Sequence, residues 1–292
     1  MAPTVRIRYL SLSNLQHSKN YFPFLRGYLD TVASPGTQIE ICGARVGRID
    51  SYRFWELLDT VSILDSVLDA ERQGFDAVAI GNILDPGLRE ARSMVDIPVL
   101  GLGETSMLSA CMMGSRFGLV GVNPFFIGRF EENVSRYGLH QRLAGMESMD
   151  LTPHELDACF SDESRKAHAI DSFVEASRTL LRAGAEVIVP AGGRIVAFLN
   201  ANGVRDVDGA LVLDGTATLV AMTEAAVRIR QAAGGFVSRR RLYARASPEV
   251  TAAAAAQYAA SYNVPALMAL AAPTSSTEAA DAVPPIDPPT PE

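Results

Sequence analysis

Three segments of the chain occur twice, in the same order and at almost one spacing. QGFDAVAIGN (73–82) is matched by AGAEVIVPAG (183–192), an offset of 110 residues, and LGLGETSML (100–108) by LVLDGTATL (211–219), an offset of 111. The opening segment RIRYLSL (6–12) falls opposite FGLVGVN (117–123) at the same distance. Any buried strand resembles another, so one match would carry little. Three in order at a shared offset define a duplicated unit, and duplication restricts the chain to two similar lobes.

Within each unit, short apolar runs alternate with longer stretches of helical spacing, the pattern of a parallel sheet flanked by helices. Strands are predicted over Val5–Leu12, Gln38–Gly43, Asp76–Asn82, Pro98–Leu102, Gly118–Asn123, Glu186–Ala191 and Gly209–Leu213, with a weaker one near Arg142–Ser148. Helices are predicted over 52–73, 104–114, 125–137, 164–183 and 215–232, where apolar residues such as Leu57, Val61, Leu64 and Leu68 recur at helical spacing. The fold class is therefore α/β, with two pseudo-symmetric Rossmann-like or flavodoxin-like lobes. Residues 1–115 form the first lobe, completed by 217–270, and 116–216 the second. The segments 14–90 and 125–200 are expected to superpose about a twofold axis. Residues 272–292, rich in Pro, Ser, Thr, Ala and acid, offer almost nothing to bury and read as a disordered tail. The run Arg239-Arg240-Arg241 reads as an anion patch or, more simply, as a solvated turn paired with acidic neighbours.

A net charge of -7 and a pI near 5.2 argue against a nucleic-acid or membrane-surface partner. No apolar run approaches the roughly 20 residues of a membrane span, and no signal peptide is visible. Cys42, Cys111 and Cys159 lie far apart without a CxxC pair, which reads as reduced thiols and a cytoplasmic location. The four histidines, His17, His140, His154 and His168, have no metal-site spacing, so no metal is expected. GLGETS lacks the third glycine of a dinucleotide fingerprint, and no cofactor is expected. A homo-oligomer is left open.

Ligands of open α/β sheets bind beyond the carboxyl ends of the strands, and clefts between lobes favour small molecules. The expected wall is therefore Ser11 and Ser13 with Asn123, Asn82 with Gly192 and Gly193, and Glu104 and Thr105 with Gly215 and Thr216. Asn82 reads as a holder of a carboxylate or carbonyl, or as the cap of the turn that follows. Gly192 and Gly193 offer backbone N–H groups at a helix start and permit close approach, or serve tight strand–helix packing. Arg194 reads as a bidentate clamp on a carboxylate or as an exposed first-turn residue. Asn123 and Thr216 are hydrogen-bonding candidates of the second lobe. His17, just after the first strand, reads as a general acid or a helix-start residue. Asp85, in Asp-Pro-Gly, is most simply a turn residue.

These strand ends carry a family resemblance. Asn82-Ile83-Leu84-Asp85-Pro86-Gly87-Leu88 resembles the CxxDPGL segment of hydantoin and allantoin racemases. Asp96 to Glu104, DIPVLGLGE, is similar to their next strand and its GxGE turn. RFGLVGVN with RFEENVSRYGL (129–139), Gly184 to Val189, and Leu211 to Gly215 resemble the segments that build their second lobe. The resemblance covers residues 5–232 and implies membership of the aspartate/glutamate/hydantoin racemase superfamily. It implies a cofactor-free mechanism in which two cysteines exchange protons on opposite faces of the substrate α-carbon, while backbone N–H groups hold an enolate-like intermediate. Carried over by position, the two cysteine places are Asn82 and Gly192, the same two residues that the internal repeat pairs. Neither transfers a proton near neutral pH. Cys111 reads as a buried structural thiol, and Cys159 approaches the cleft only if the 149–166 segment folds over it. Glu104, the carboxylate of the GxGE turn, is a candidate base, although the helix dipole alone explains a Glu there.

The expectation is a small carboxylate- or amide-bearing substrate, held between the lobes and processed through an enolate-like or tetrahedral intermediate. The chemistry is that of a lyase, decarboxylase, hydrolase or altered isomerase, with Asn82, Glu104 and His17 as the candidate catalytic groups. Two alternatives stand beside it: a racemase or epimerase with relocated bases, and a binding protein that kept the cleft without the chemistry.

Overall fold

The computed structural model describes residues 4–16, 18–47, 52–262 and 264–266. The first half runs β1 (Val5–Ser11), α1 (Tyr21–Val32), β2 (Thr37–Gly43), α2 (Arg53–Arg72), β3 (Ala77–Ile80), α3 (Leu88–Met94), β4 (Val99–Gly101) and α4 (Leu102–Met113). The second runs β5 (Phe117–Gly121), α5 (Ile127–Tyr137), β6 (Leu143–Ser148), α6 (Pro153–Ala158), α7 (Glu163–Arg182), β7 (Val187–Pro190), α8 (Gly193–Ala201), β8 (Asp206–Val207), β9 (Ala210–Val212) and α9 (Gly215–Ala233), followed by α10 (Pro248–Tyr262). The eight expected strands and five expected helices are all present.

The sheets have orders β2-β1-β3-β4 and β6-β5-β7-β9-β8, so the first four strands of each follow one topology. Their central strands, AVAI and VIVP, are buried on both faces, which is why parallel strands read as unbroken apolar runs. The ladders repeat residue for residue. Ile7 lies opposite Ala77 and Phe117 opposite Val187; Leu10 lies opposite Ile80 and Val120 opposite Pro190. All four pairs obey the 110-residue offset. The outer strands correct the sequence alignment. Val78 faces Val99 while Ile188 faces Val212, and α4 and α9 begin at Leu102 and Gly215, which is an offset of 113 rather than 111. Two residues of slip leave each side chain on the same face of its strand, so the apolar pattern cannot register it. The two-residue strand β8, antiparallel to β9, is an addition to the second sheet.

The helices that end each repeat cross over. α9 rests on β1, β3 and β4 of the first sheet, α4 rests on β5 and β7 of the second, and α4 and α9 pack on each other. One continuous apolar core consequently holds Ile7, Tyr9 and Ala79 together with Phe117, Leu119 and Ile188. Each fully buried Ile, Leu or Phe side chain among them contributes about 1.5–3 kcal/mol.

The basic turn takes the simpler of its two readings. Arg239 pairs with Asp96 at 2.7 Å, donates to the carbonyl of Arg92, and is joined on Asp96 by Arg245. Residues 272–292 lie outside the described residues. Among the described residues, no helix is long and apolar enough to cross a membrane, and no group of three His, Cys, Asp or Glu side chains could hold a metal ion.

Candidate active site

The carboxyl ends of β1, β3, β5 and β7 converge on a cavity of about 110 Å³ between the lobes. Ser11 and Ser13 line it from β1, Gly81 to Leu84 from β3, Val122 from beyond β5, and Ala191 to Ile195 from β7 and the first turn of α8. Gly47, Phe126, Pro153 and Tyr21 complete the described wall. Among the described residues, the polar lining residues are Ser11, Ser13, Tyr21, Asn82 and Arg194, and none carries a carboxylate, imidazole or thiol.

Arg194 is held in place by neutral oxygens. Its Nη1 donates to the carbonyl of Pro153 at 2.7 Å, and its Nη2 donates to the Ser13 and Ser18 hydroxyls at 2.9 Å each. Its Nε is buried without a partner, its guanidinium lies 5.6 Å from the Tyr21 ring centre, and it makes no ion pair among the described residues. A fixed cation in a cavity, without a counter-charge among the described residues, is an electrostatic invitation to an anion. The first turn of α8 adds backbone donors, since Gly192 supplies no side-chain cap to occupy them.

Glycines set how closely the lobes approach. A Cβ on Gly193 would stand 3.0 Å from the Gly81 carbonyl and 3.1 Å from the Tyr21 hydroxyl, and a Cβ on Gly81 would sit inside the Tyr9 ring at 2.2 Å. Two phenols thus fill the room that side chains would take at both strand ends. Burial pushes the Tyr21 hydroxyl up to about 12, against the pull of Arg194, so it stays protonated.

Asn82 caps the turn that follows it and also lines the cavity. Its Oδ1 accepts from Leu84 N–H at 2.9 Å, capping the turn, while its side chain remains part of the cavity wall. Asp85 exceeds the role of a turn residue. It is buried, and it accepts from the N–H groups of Gly103 at 2.8 Å and Glu104 at 2.6 Å and from the Tyr137 hydroxyl at 2.5 Å. It therefore caps α4 from a different loop. A Cβ on Gly101 would meet its Oδ1 at 2.2 Å, and one on Gly103 would meet its Oδ2 at 2.7 Å and the Ile83 carbonyl at 2.2 Å. The DPG and GxGE segments are one structural device, in which the carboxylate needs both glycines. Burial outweighs these three donors and raises the Asp85 carboxyl to about 7.

Several expected residues are not brought to the cavity. Glu104 turns away from it, in a two-pronged ion pair with Arg92 at 3.0 and 2.5 Å, beside Arg136 and Tyr243. Thr105 is buried in α4. Asn123 is buried and caps the short turn Pro124–Phe126, accepting from Phe125 N–H at 3.1 Å, and its neighbour Val122 takes the wall. Thr216 lies fully buried in the first turn of α9, against Tyr9 beneath the floor. His17 lies outside the described residues. The 149–166 segment does fold over the cleft through Pro153, yet Cys159 points back to the carbonyls of Glu155 and Arg165. Cys42 stands on β2 and Cys111 on α4, both partly exposed. Tyr21 and Tyr9 were missed in the sequence, although Tyr9 precedes Ser11 by two residues and so shares its face of β1.

A two-lobed α/β protein with a cavity at the carboxyl ends of matched parallel strands is the class that fold and site define. A family model for Asp/Glu/Hydantoin racemase matches residues 33–223, and the chain belongs to this family. It is 32% identical over 123 residues to a hydantoin racemase of Pseudomonas sp. (strain NS671), covering 41% of this chain and 49% of that protein. It is 27% identical over 199 residues to one from Rhizobium meliloti, covering 68% of this chain and 77% of that protein. The match thus spans about half the length of the former and over three quarters of the latter. Among solved structures, an allantoin racemase from Klebsiella pneumoniae aligns with TM-score 0.69 and 26% identity over 84% of this chain and 94% of its own. An allantoin racemase from Pseudomonas fluorescens shares the fold with TM-score 0.71, at 24% identity over 84% of this chain and 98% of its own.

Proposed function

We propose that the protein is a cofactor-independent enzyme that binds a small carboxylate or cyclic amide in the inter-lobe cavity and stabilises the oxyanion that develops on it. The carrying observation is Arg194, a cation fixed by three neutral oxygens and without an acidic partner among the described residues. Asn82 and the α8 backbone extend a surface of donors that, among the described residues, carries no negative charge, the electrostatics an enolate-like or tetrahedral intermediate requires. Relatives named hydantoin and allantoin racemases favour a ring amide carbonyl as the recognised group. Asn82 and Gly192, at the places that the resemblance assigns to the family's cysteines, favour lyase, decarboxylase, hydrolase or altered isomerase chemistry over a two-thiol racemisation. The protein is expected to act in the cytoplasm.

Hydantoin and succinate are expected to raise Tm, by mass action on the folded state. Arg194→Ala is expected to abolish the effect of succinate, and Asn82→Asp to weaken it at least tenfold. Wild-type protein indifferent to both compounds would remove the reading. A second reading, a binding protein without chemistry, is favoured by a wall whose described residues include no carboxylate, imidazole or thiol. Exchange of substrate C–H for deuterium in heavy water, followed by NMR on a panel of 5-substituted hydantoins, separates the two: exchange supports the enzyme, and binding without exchange or turnover supports the binding protein.

A further inference from the structure

At the cavity wall and beneath its floor lie polar groups that the binding scheme above does not use. Tyr9 is fully buried on β1, Tyr21 is 2% exposed at the start of α1, and Thr216 is 1% exposed in the first turn of α9. The Tyr9 hydroxyl lies within reach of the hydroxyls of both Tyr21 and Thr216. Even so, the Tyr9 and Thr216 hydroxyls complete no hydrogen bond of proper geometry among the described residues. A buried hydroxyl without a partner costs about 1–3 kcal/mol, and a fold rarely keeps two side by side in its core. Phenylalanine and valine would fill the same volumes without that cost.

We propose that Tyr21, Tyr9 and Thr216 form a three-hydroxyl subsite for the acceptor oxygen of the bound substrate, a carboxylate or ring-carbonyl oxygen, to which Tyr21 donates directly. The inference rests on the reading of the cavity as the substrate site. Tyr21 alone of the three lines the cavity. If it donates outward to the ligand, its oxygen accepts from Tyr9, whose oxygen in turn accepts from Thr216. One ligand oxygen then aligns three O–H dipoles in one direction, and each bond in such a chain strengthens the next. The glycines fit this arrangement. Gly81 leaves its side-chain space to the Tyr9 phenol, and Gly193 leaves its own to the Tyr21 hydroxyl. Arg194, over the Tyr21 ring, would hold the opposite side of the same anionic group.

The subsite predicts a signature that ordinary packing residues do not give, namely stability and affinity moving in opposite directions. Tyr9→Phe is expected to raise the Tm of the ligand-free protein by about 2–4 °C, since it deletes an unpartnered buried hydroxyl, and to weaken binding of hydantoin or succinate severalfold. Thr216→Val is expected to do the same to a smaller degree. Tyr21→Phe is expected to weaken binding about tenfold, with Tm nearly unchanged. Calorimetric titration with hydantoin and with succinate, beside thermal melts, reads both quantities. Binding that is lost in Arg194→Ala but equal in wild type and Tyr21→Phe would overturn the subsite and leave the cavity as the substrate site. A lower Tm in Tyr9→Phe would overturn it as well. Wild-type protein that binds neither probe would remove the cavity reading, and the subsite with it.

Discussion

The two lobes solve one problem differently at the helix that closes each repeat. The α4 and α9 helices start at equivalent places, and both need acceptors for the free N–H groups of their first turns. The second lobe uses its own N-cap. Asp214 accepts from Ala217 N–H at 2.9 Å and from Asn200 at 3.0 Å, and Tyr28 of α1 donates to it. The first lobe has Gly101 at that place and borrows the carboxylate of Asp85 from the β3–α3 loop, with Tyr137 of α5 donating to it. Each carboxylate is thereby tied to a tyrosine of the opposite repeat. The consequence falls on the next position but one. In the first lobe Gly103 is compulsory, because Asp85 and the Ile83 carbonyl fill its side-chain space. In the second lobe the equivalent residue is Thr216, free to turn a hydroxyl toward Tyr9. Duplication preserved the ladders and diverged at the cap, and the divergence released a polar group under the cavity.

Substitutions at these positions test the contrast. Gly103→Ala is expected to cost at or above the top of the usual range of about 1–3 kcal/mol for overpacking, because backbone must move, whereas Thr216→Ala is expected to cost about 1 kcal/mol or less. Equal urea midpoints for the two variants would break the comparison.

The next effect is a pH dependence. The Asp85 carboxyl titrates at about 7 in the folded protein, above its unfolded value near 3.8. The folded state therefore holds the extra proton, and the stability linked to it is fully present below about pH 4 and lost as pH rises to about 7. The loss is on the order of 4 kcal/mol. Asp85→Asn is expected to flatten this slope in denaturation curves between pH 4 and 7; an unchanged slope would assign the titration elsewhere.

Asp214→Ala is expected to cost about 1–2 kcal/mol, the ordinary value of a lost N-cap. Smallest are Tyr28→Phe and Tyr137→Phe, at about 1 kcal/mol each. Only Tyr137→Phe is expected to shift the upper edge of the pH window, and upward, because that hydroxyl favours the Asp85 carboxylate.

Much of this architecture is legible in the sequence. The strands stand out because central parallel strands are apolar without interruption, and the duplication aligns them twice. The α1 helix does not, since Pro23 and Gly27 break its pattern. A proline within the first turn is nevertheless tolerated, because its missing N–H has no intrahelical acceptor there. Asp85 reads as a turn residue because its hydrogen bonds reach 18 and 19 residues ahead, beyond any local rule. Glu104 reads as a candidate base because its partner Arg92 sits on α3, a seven-residue helix too short for periodicity to reveal. Cavity residues that end strands, such as Ser11, Asn82 and Gly193, follow from topology. Tyr21, which arrives from a helix start, does not.

The crossing of α4 and α9 has a mechanical consequence. Each sheet is roofed by the helix that closes the other repeat, and the two helices lean on each other. Swinging one lobe away from its neighbour would strip both roofs at once and expose the shared core. The cleft is therefore a fixed clearance rather than a jaw. A molecule that enters the cavity would do so by local yielding of side chains and loops in its wall, and that yielding would set the size admitted.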